Sequence, residues 1–393
     1  MPSYHTYDVA VIGSGPAGAS AALPLATAGA RVALIEKAGL PRYKTCGGGV
    51  VRRAIRLLPV DVEGAIQRQC HTAELNVLDA GLHFLTRRTE PIVSMTMRSE
   101  FDFSVVAAAK AAGAEIRENS EVVDVVADGE SVKLETTKGT IRARFVVAAD
   151  GATGMLARKA GPRDGRQLIP ALECEVSVSD HDLERFSQTA RFDFGVVPFG
   201  YAWVFPKRSH LSIGVLTMRR APVNLNDMFA RYLHLIGIEQ TQNIERHGFL
   251  IPVRPRRGPL VDRRIILTGD AAGLADPVTG EGITFAIQSA QMAAQALVGA
   301  DFKESRVAEA YQTELAKSIL PELRIGRLLA RALYDSPNLQ RWLFQHYGQR
   351  FSEAVTDVIM GDKTYRGILS NPLSYLKLLR FKSMRKSVVR ADS

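Results

Sequence analysis

Short, wholly apolar runs separated by glycine-rich turns give this chain its most regular pattern. Residues 9–12, 32–35, 145–149 and 265–267 carry no polar side chain, as strands covered on both faces of a parallel sheet require. Over 71–97, and again from 170 to about 255, the pattern shifts to polar and apolar alternation with many β-branched and aromatic residues, as in 73–78, 92–97, 172–178, 190–197, 201–205 and 211–217. Period-two alternation predicts half-buried strands of a second, antiparallel sheet. Residues 115–126 also read as strands, while helices are predicted over 98–112, over the Ala-rich 284–298, and then over 305–320, 323–334 and 340–358. The chain therefore reads as an α/β protein whose second domain is α+β, followed by helices.

The first apolar run opens directly into Gly13, Gly15 and Gly18. Gly13 allows a tight turn, Gly15 lets a pyrophosphate approach the backbone, and Gly18 lets the next helix pack close to the strand. That helix starts around Ala17, and its first N–H groups face the phosphates. The second run ends in Glu36, 18 positions after Gly18, where a carboxylate accepts hydrogen bonds from a ribose. Strand, glycines, helix, strand and acid in this order predict a dinucleotide site of the Rossmann type. Pro24 lies inside the predicted helix, where its missing N–H is expected to cause a bend.

At 393 residues, with 46% hydrophobic and 23% charged residues, the chain has room for a large core and two domains. No apolar stretch is long enough to span a bilayer, and no basic region precedes the first apolar run, so a cytoplasmic protein is expected. Cys46, Cys70 and Cys174 form no CxxC pair, which argues against a disulfide framework or a zinc site. The net charge is +9, yet no basic stripe interleaved with aromatics suggests nucleic-acid binding. The excess gathers instead at Lys377, Arg380, Lys382, Arg385, Lys386 and Arg390, among Leu376, Leu378, Leu379 and Phe381. Such a segment suits peripheral contact with an anionic membrane surface as well as it suits a solvated tail.

Pro41-Arg42-Tyr43-Lys44-Thr45-Cys46-Gly47-Gly48-Gly49 resembles the PxYxxCGGG loop of the geranylgeranyl reductases, flavoproteins similar in fold to the aromatic hydroxylases. Three consecutive glycines carry a large entropic cost, consistent with a flat ring lying close to the backbone. The resemblance implies that the dinucleotide is FAD and that this loop, with Cys46, Gly47 and Gly49, lies beside its isoalloxazine. A cysteine here is either a small buried apolar residue or a participant in shaping the site and delivering protons. By the same resemblance Arg98 contacts FAD and Val122 lies near the adenine. Asp150-Gly151 is similar to the superfamily's DG motif, with Arg158 as its arginine and Gly154 in place of its usual serine. The stretch from Gly269 to Ile283, reading GDAAGLADPVTGEGI, matches the motif in which Asp270 binds the ribityl side, with Gly280, Gly282 and Ile283 at the helix start near the flavin's polar edge.

Tyr201-Ala202-Trp203-Val204-Phe205-Pro206-Lys207 places three aromatics on one face and resembles the family's YxWxFPK wall over the flavin. A hydrocarbon chain could bind such a wall at about 25 cal/mol per Å² of buried apolar area. The resemblance divides the chain into an FAD-binding domain (1–70, 98–165 and 262–300), a substrate-binding β-sheet domain (71–97 and 166–261) and a C-terminal helical region (301–393) with a basic tail. The helices either cap a substrate tunnel or simply pack on the body. The implied activity is hydride transfer from reduced flavin to a C=C bond of a prenyl-chain lipid, with Cys46, Tyr201 and Trp203 as candidate catalytic residues. No second GxGxxG follows, so NAD(P)H visits the flavin transiently or a protein such as reduced ferredoxin supplies the electrons. The competing readings are an FAD-dependent aromatic monooxygenase and a lipid carrier that uses FAD structurally.

Overall fold

The computed structural model describes residues 5–159, 164–219 and 223–370. The basic segment from Leu376 to Arg390 lies outside them. The four wholly apolar runs meet in one eight-stranded sheet, in the order Val261–Asp262, Ile265–Leu267, Gly139–Ala148, His5–Ile12, Val32–Ile35, Glu115–Arg117, with Val122–Asp128 and Ser131–Thr136 extending it from Gly139–Ala148. His5–Ile12 pairs in parallel with both neighbours, and Val9, Ala10 and Val11 are fully buried. Parallel pairing needs a crossover on a sheet face, supplied here by the Pro16–Thr27 helix. That helix continues for three residues beyond Pro24 without breaking.

The alternating runs form a seven-stranded sheet in the order Asn243–Pro252, Leu168–Ser177, Leu211–Thr217, Gly200–Pro206, Thr189–Phe194, Thr72–Val77, Leu82–Arg87. Its pairs are antiparallel save one, since Thr189–Phe194 runs parallel to Thr72–Val77. Those strands arrive from two separate excursions of the chain, and no hairpin constrains their direction. Val93–Thr96 joins a third, three-stranded sheet with Gly49–Val51 and Ile66–Cys70.

Register divides the seven-stranded sheet into two faces. One, with Cys174, Ile213 and Val204, packs under the Leu225–Leu235 helix through Phe229 and Tyr232. The opposite face holds Tyr201, Trp203, Phe194 and Leu216 and packs with Leu333, Tyr334 and Phe344 of the C-terminal helices. The Pro337–Met360 helix lies directly on Leu82–Arg87. Thr86 and Ser352 share a hydrogen bond of 2.8 Å, and a Cβ added at Gly348 would sit 2.0 Å from the Phe84 ring.

Candidate active site

The glycine turn is built so that no side chain fits it. Gly13 has φ +97°, and a Cβ there would lie 2.5 Å from the Ala149 carbonyl oxygen, a backbone conformation and a space that only glycine tolerates. Glu36 is buried and accepts bonds from Ser14 N (3.0 Å), Ser14 Oγ (2.6 Å) and Arg42 Nε (3.2 Å) on one oxygen, and from Ala38 N (3.1 Å) on the other. Burial opposes its ionisation, but the Ser14 hydrogen bonds and the Arg42 charge outweigh it and hold the carboxyl below its usual range. It is thus a fixed anion with acceptor capacity left for a hydroxyl donor. Beside Gly15, Arg98 forms a two-point ion pair with Asp102 (2.7 and 2.8 Å), and Arg42 reaches the same carboxylate at 3.2 Å. A Cβ on Gly15 would have Arg42 Nη2 at 3.8 Å and Arg98 Nη2 at 3.9 Å. Arg42 bridges Glu36 and Asp102 while Arg98 pairs with Asp102, so two guanidiniums are held beside the helix start, where N–H donors and the helix dipole favour a pyrophosphate.

Residues 46–49 pack directly on the aromatic wall, although over 150 positions separate them in sequence. A Cβ on Gly47 would lie 2.9 Å from Trp203 Nε1 and 3.0 Å from the Phe205 ring. The Tyr201, Trp203 and Phe205 rings follow one another at centroid spacings of 6.3 and 6.2 Å, as period-two alternation demands. Lys207, fully buried, donates to the carbonyls of Gly47 (2.6 Å) and Thr96 (2.8 Å), tying the loop to the wall. Across from the wall, the 276–282 loop is held by three tyrosines from separate elements. Tyr201 donates to the Thr279 carbonyl, Tyr334 to the Val278 carbonyl at 2.7 Å, and Tyr365 to Asp276 at 3.0 Å. The Ile283–Gly299 helix then begins with its first turn facing the cavity. Lys44 stands 3.3 Å over the Phe249 ring; burial and the nearby Arg98 charge lower its ammonium to about 8. Burial pushes the Asp270 carboxyl up, against the pull of Lys44 and Arg98.

One cavity of about 900 Å³ joins these parts. Gly13, Gly15, Ala17, Glu36, Arg98, Val122 and Asp150 line one end, and Cys46, Gly47, Gly49, Asp270, Gly280, Gly282 and Ile283 line the middle, with Tyr201 and Trp203. Gly18 does not reach it. Its role is packing, since a Cβ there would sit 1.7 Å from the Gly13 carbonyl oxygen. Gly154, where the related motif carries serine, is also explained: a Cβ would lie 2.1 Å from Asp150 Cγ. Past the wall the cavity continues between Leu75, Phe194 and Leu216 on the sheet and Val355, Thr356 and Ile359 on the last long helix. That lining is missed by sequence reasoning, as are Asp102 and Glu173. The spacing of Arg98 and Asp102, four apart on a helix, was a readable signal for one of them.

The residues present fit a flavin dinucleotide. The turn admits only bare backbone, as a close-lying pyrophosphate requires, the buried anion of Glu36 has acceptor capacity left for a hydroxyl such as a ribose carries, and the cavity is flanked by a glycine loop and an aromatic wall. Fold and site together define a dinucleotide-binding flavoprotein oxidoreductase. Residues 6–314 match the FAD binding domain family. Geranylgeranyl diphosphate reductase of Rhodobacter capsulatus is 31% identical over 312 residues, covering 74% of each chain. The chloroplastic geranylgeranyl diphosphate reductase of Oryza sativa subsp. japonica is 29% identical, covering 96% of this chain and 86% of its own. A geranylgeranyl bacteriochlorophyll reductase-like protein from Thermoplasma acidophilum superposes with a TM-score of 0.77 at 21% identity, covering 96% of both chains. The chain belongs to the FAD binding domain family and, within it, to the FAD-dependent oxidoreductases of the geranylgeranyl reductase type.

Proposed function

We propose that this protein saturates C=C bonds of a geranylgeranyl or longer polyprenyl chain. The observation that carries the reading is the apolar extension of the cavity between Phe194, Leu216, Val355 and Ile359, continuous with the cofactor end and suited to a hydrocarbon. FAD, once reduced, supplies a hydride. The protein's part is to hold the reacting carbon beside the 46–49 loop and to exclude water with the Tyr201–Trp203–Phe205 wall. Gly13, Gly15, Ala17, Glu36, Arg98, Val122 and Asp150 serve the adenosine and pyrophosphate end, and Gly18 serves it indirectly by letting the helix pack against the turn. Cys46, Gly47, Gly49, Asp270, Gly280, Gly282 and Ile283 serve the flavin end. Tyr201 acts there by fixing the 276–282 loop through Thr279, and Trp203 by walling the reacting carbon.

The electron donor in this reading is NAD(P)H visiting the same cavity or a reduced ferredoxin docking outside it, and stopped-flow reduction with each decides between them. Among the described residues no helix is long and apolar enough to cross a membrane. We place the protein in the cytoplasm, meeting its lipid through the basic segment from Lys377 to Arg390.

The deciding experiment is anaerobic. Protein reduced with dithionite is mixed with geranylgeranyl diphosphate or a polyprenyl quinone, and flavin absorbance and lipid mass are followed together. Reoxidation with a gain of two hydrogens per turnover is expected. Flavin that stays reduced until oxygen is admitted refutes the reading. Val355→Trp, which fills the apolar extension, is expected to abolish lipid reduction while leaving FAD content unchanged. Equal turnover in that variant would place the lipid elsewhere.

A further inference from the structure

Where it lines the cavity, the seven-stranded sheet presents Leu75, Phe192, Phe194, Trp203 and Leu216, and one carboxyl. Glu173 pairs with Gly214, Gly214 with Trp203, Trp203 with Phe192, and Phe192 with Leu75. Residues so paired project to the same face. The neighbouring row runs through Ala171, Leu216 and Tyr201. Among the described residues that line the cavity, Glu173 is the only carboxyl this sheet contributes. Gly214 has no side chain to separate Glu173 from Trp203, and the indole occupies that space, 2.0 Å from where a Cβ would stand.

Glu173 is 2% exposed. Ser212 Oγ donates to one of its oxygens at 3.0 Å and Tyr43 Oη to the other at 2.9 Å. Tyr43 is 42% exposed, so its hydroxyl links the buried carboxyl to solvent. The groups facing this pair are Glu175 on the same strand, Lys207 from the wall, Cys46 from the glycine loop, and His247, which pairs with Glu173 by register and whose ring centre lies 4.5 Å from that of Tyr43, tilted by 38°. His210 holds Glu175 at 2.9 Å. Burial foremost, then the Glu175 charge, pushes the Glu173 carboxyl up to about 8, against Tyr43, Ser212 and Lys207, so it carries a proton at neutral pH.

Building on the prenyl-reduction reading, we infer that Glu173 is the proton donor to the substrate double bond and that Tyr43 is the link through which its proton is replaced. The π pair of the C=C bond takes the Glu173 proton at one carbon. The other carbon takes the hydride of the reduced flavin. The lipid gains two hydrogens, the cofactor loses two electrons, and the Glu173 carboxylate recovers a proton from water by way of Tyr43.

The test is made on the FAD-loaded protein with geranylgeranyl diphosphate, by anaerobic flavin reoxidation. Glu173→Gln is expected to keep its FAD and to melt no lower than wild type near neutrality but to turn over about 100-fold more slowly, the low end for a lost general acid. Wild-type turnover is expected to fall as the pH rises through about 8, and that limb is absent from the variant. Glu173→Asp restores the limb with partial activity, and Tyr43→Phe slows turnover without removing the limb.

A readout free of activity follows from linkage. A carboxyl raised in the folded state binds more protons there than when unfolded, so wild-type stability is lost relative to Glu173→Gln as the pH rises from 4.5 to about 8. A Glu173→Gln protein with the wild-type rate and pH profile overturns the donor while leaving prenyl reduction intact. Wild-type protein that reduces none of the lipids overturns both.

Discussion

A Gly18→Ala protein is expected to purify colourless, without its flavin. The added methyl would stand 1.7 Å from the Gly13 carbonyl oxygen and 3.4 Å from Val11 Cγ1. Gly13 cannot give way, because its own backbone is held at φ +97° with the Ala149 carbonyl at its back and its N–H bonded to the Ile35 carbonyl at 2.8 Å. The helix must therefore move off the turn, taking with it the first-turn amides that would meet the phosphates of a bound FAD. Losing two charge-assisted hydrogen bonds at about 1.5–3 kcal/mol each weakens FAD binding by at least about 100-fold. The strands themselves do not depend on the cofactor, so circular dichroism should remain close to that of wild type. Gly64→Ala is the control, since nothing lies within 4 Å of a Cβ there. Flavin retained in full by Gly18→Ala would show that the turn does not set cofactor affinity.

The dinucleotide turn was readable because every part of it is local. The strand 9–12, the glycines and Glu36 lie within 30 residues, and each has one physical reason for being what it is. The aromatic wall was readable for the same cause, since alternation alone puts Tyr201, Trp203 and Phe205 on one face. Glu173 was not readable. Its meaning comes from Tyr43, 130 positions away, and from a register that lays it across Gly214 from Trp203. A glutamate in an alternating strand otherwise reads as a solvent-facing position. The last long helix illustrates a different limit. Helical periodicity identifies an apolar face but not what it faces, and here that face is shared between sheet and cavity. Pro24 shows propensity overridden, for the helix runs on through it where its neighbours are buried on nearly every side.

The same dependence on distant partners makes Arg53 a point of large expected effect. Its guanidinium bridges Glu281 at 3.0 Å and Asp276 at 3.5 Å, and donates to Thr284 Oγ1 at 3.2 Å. Asp276 is fully buried; burial pushes its carboxyl up, and Arg53 is the largest opposing influence. Arg53→Met keeps much of the side-chain length but strands the carboxylates, a loss of about 3–5 kcal/mol for a broken buried pair. The urea midpoint should fall accordingly. The pH dependence has a definite sign. Without Arg53 the folded-state carboxyl of Asp276 rises further above its ordinary 3.8, so the folded variant takes up a proton as the pH falls. Its deficit relative to wild type is then largest at neutral pH and shrinks on acidification. Arg53→Met combined with Asp276→Asn should recover part of the loss at neutral pH, since no buried charge is left without its partner at that position. Because Asp276 also anchors Val278 N at 2.8 Å and receives Tyr365, the single variant should loosen the 276–282 loop and raise the fluorescence of bound flavin. A deficit that ignores pH, or a double variant no better than the single one, would mean that Arg53 stabilises by packing alone and that the loop is held by its tyrosines.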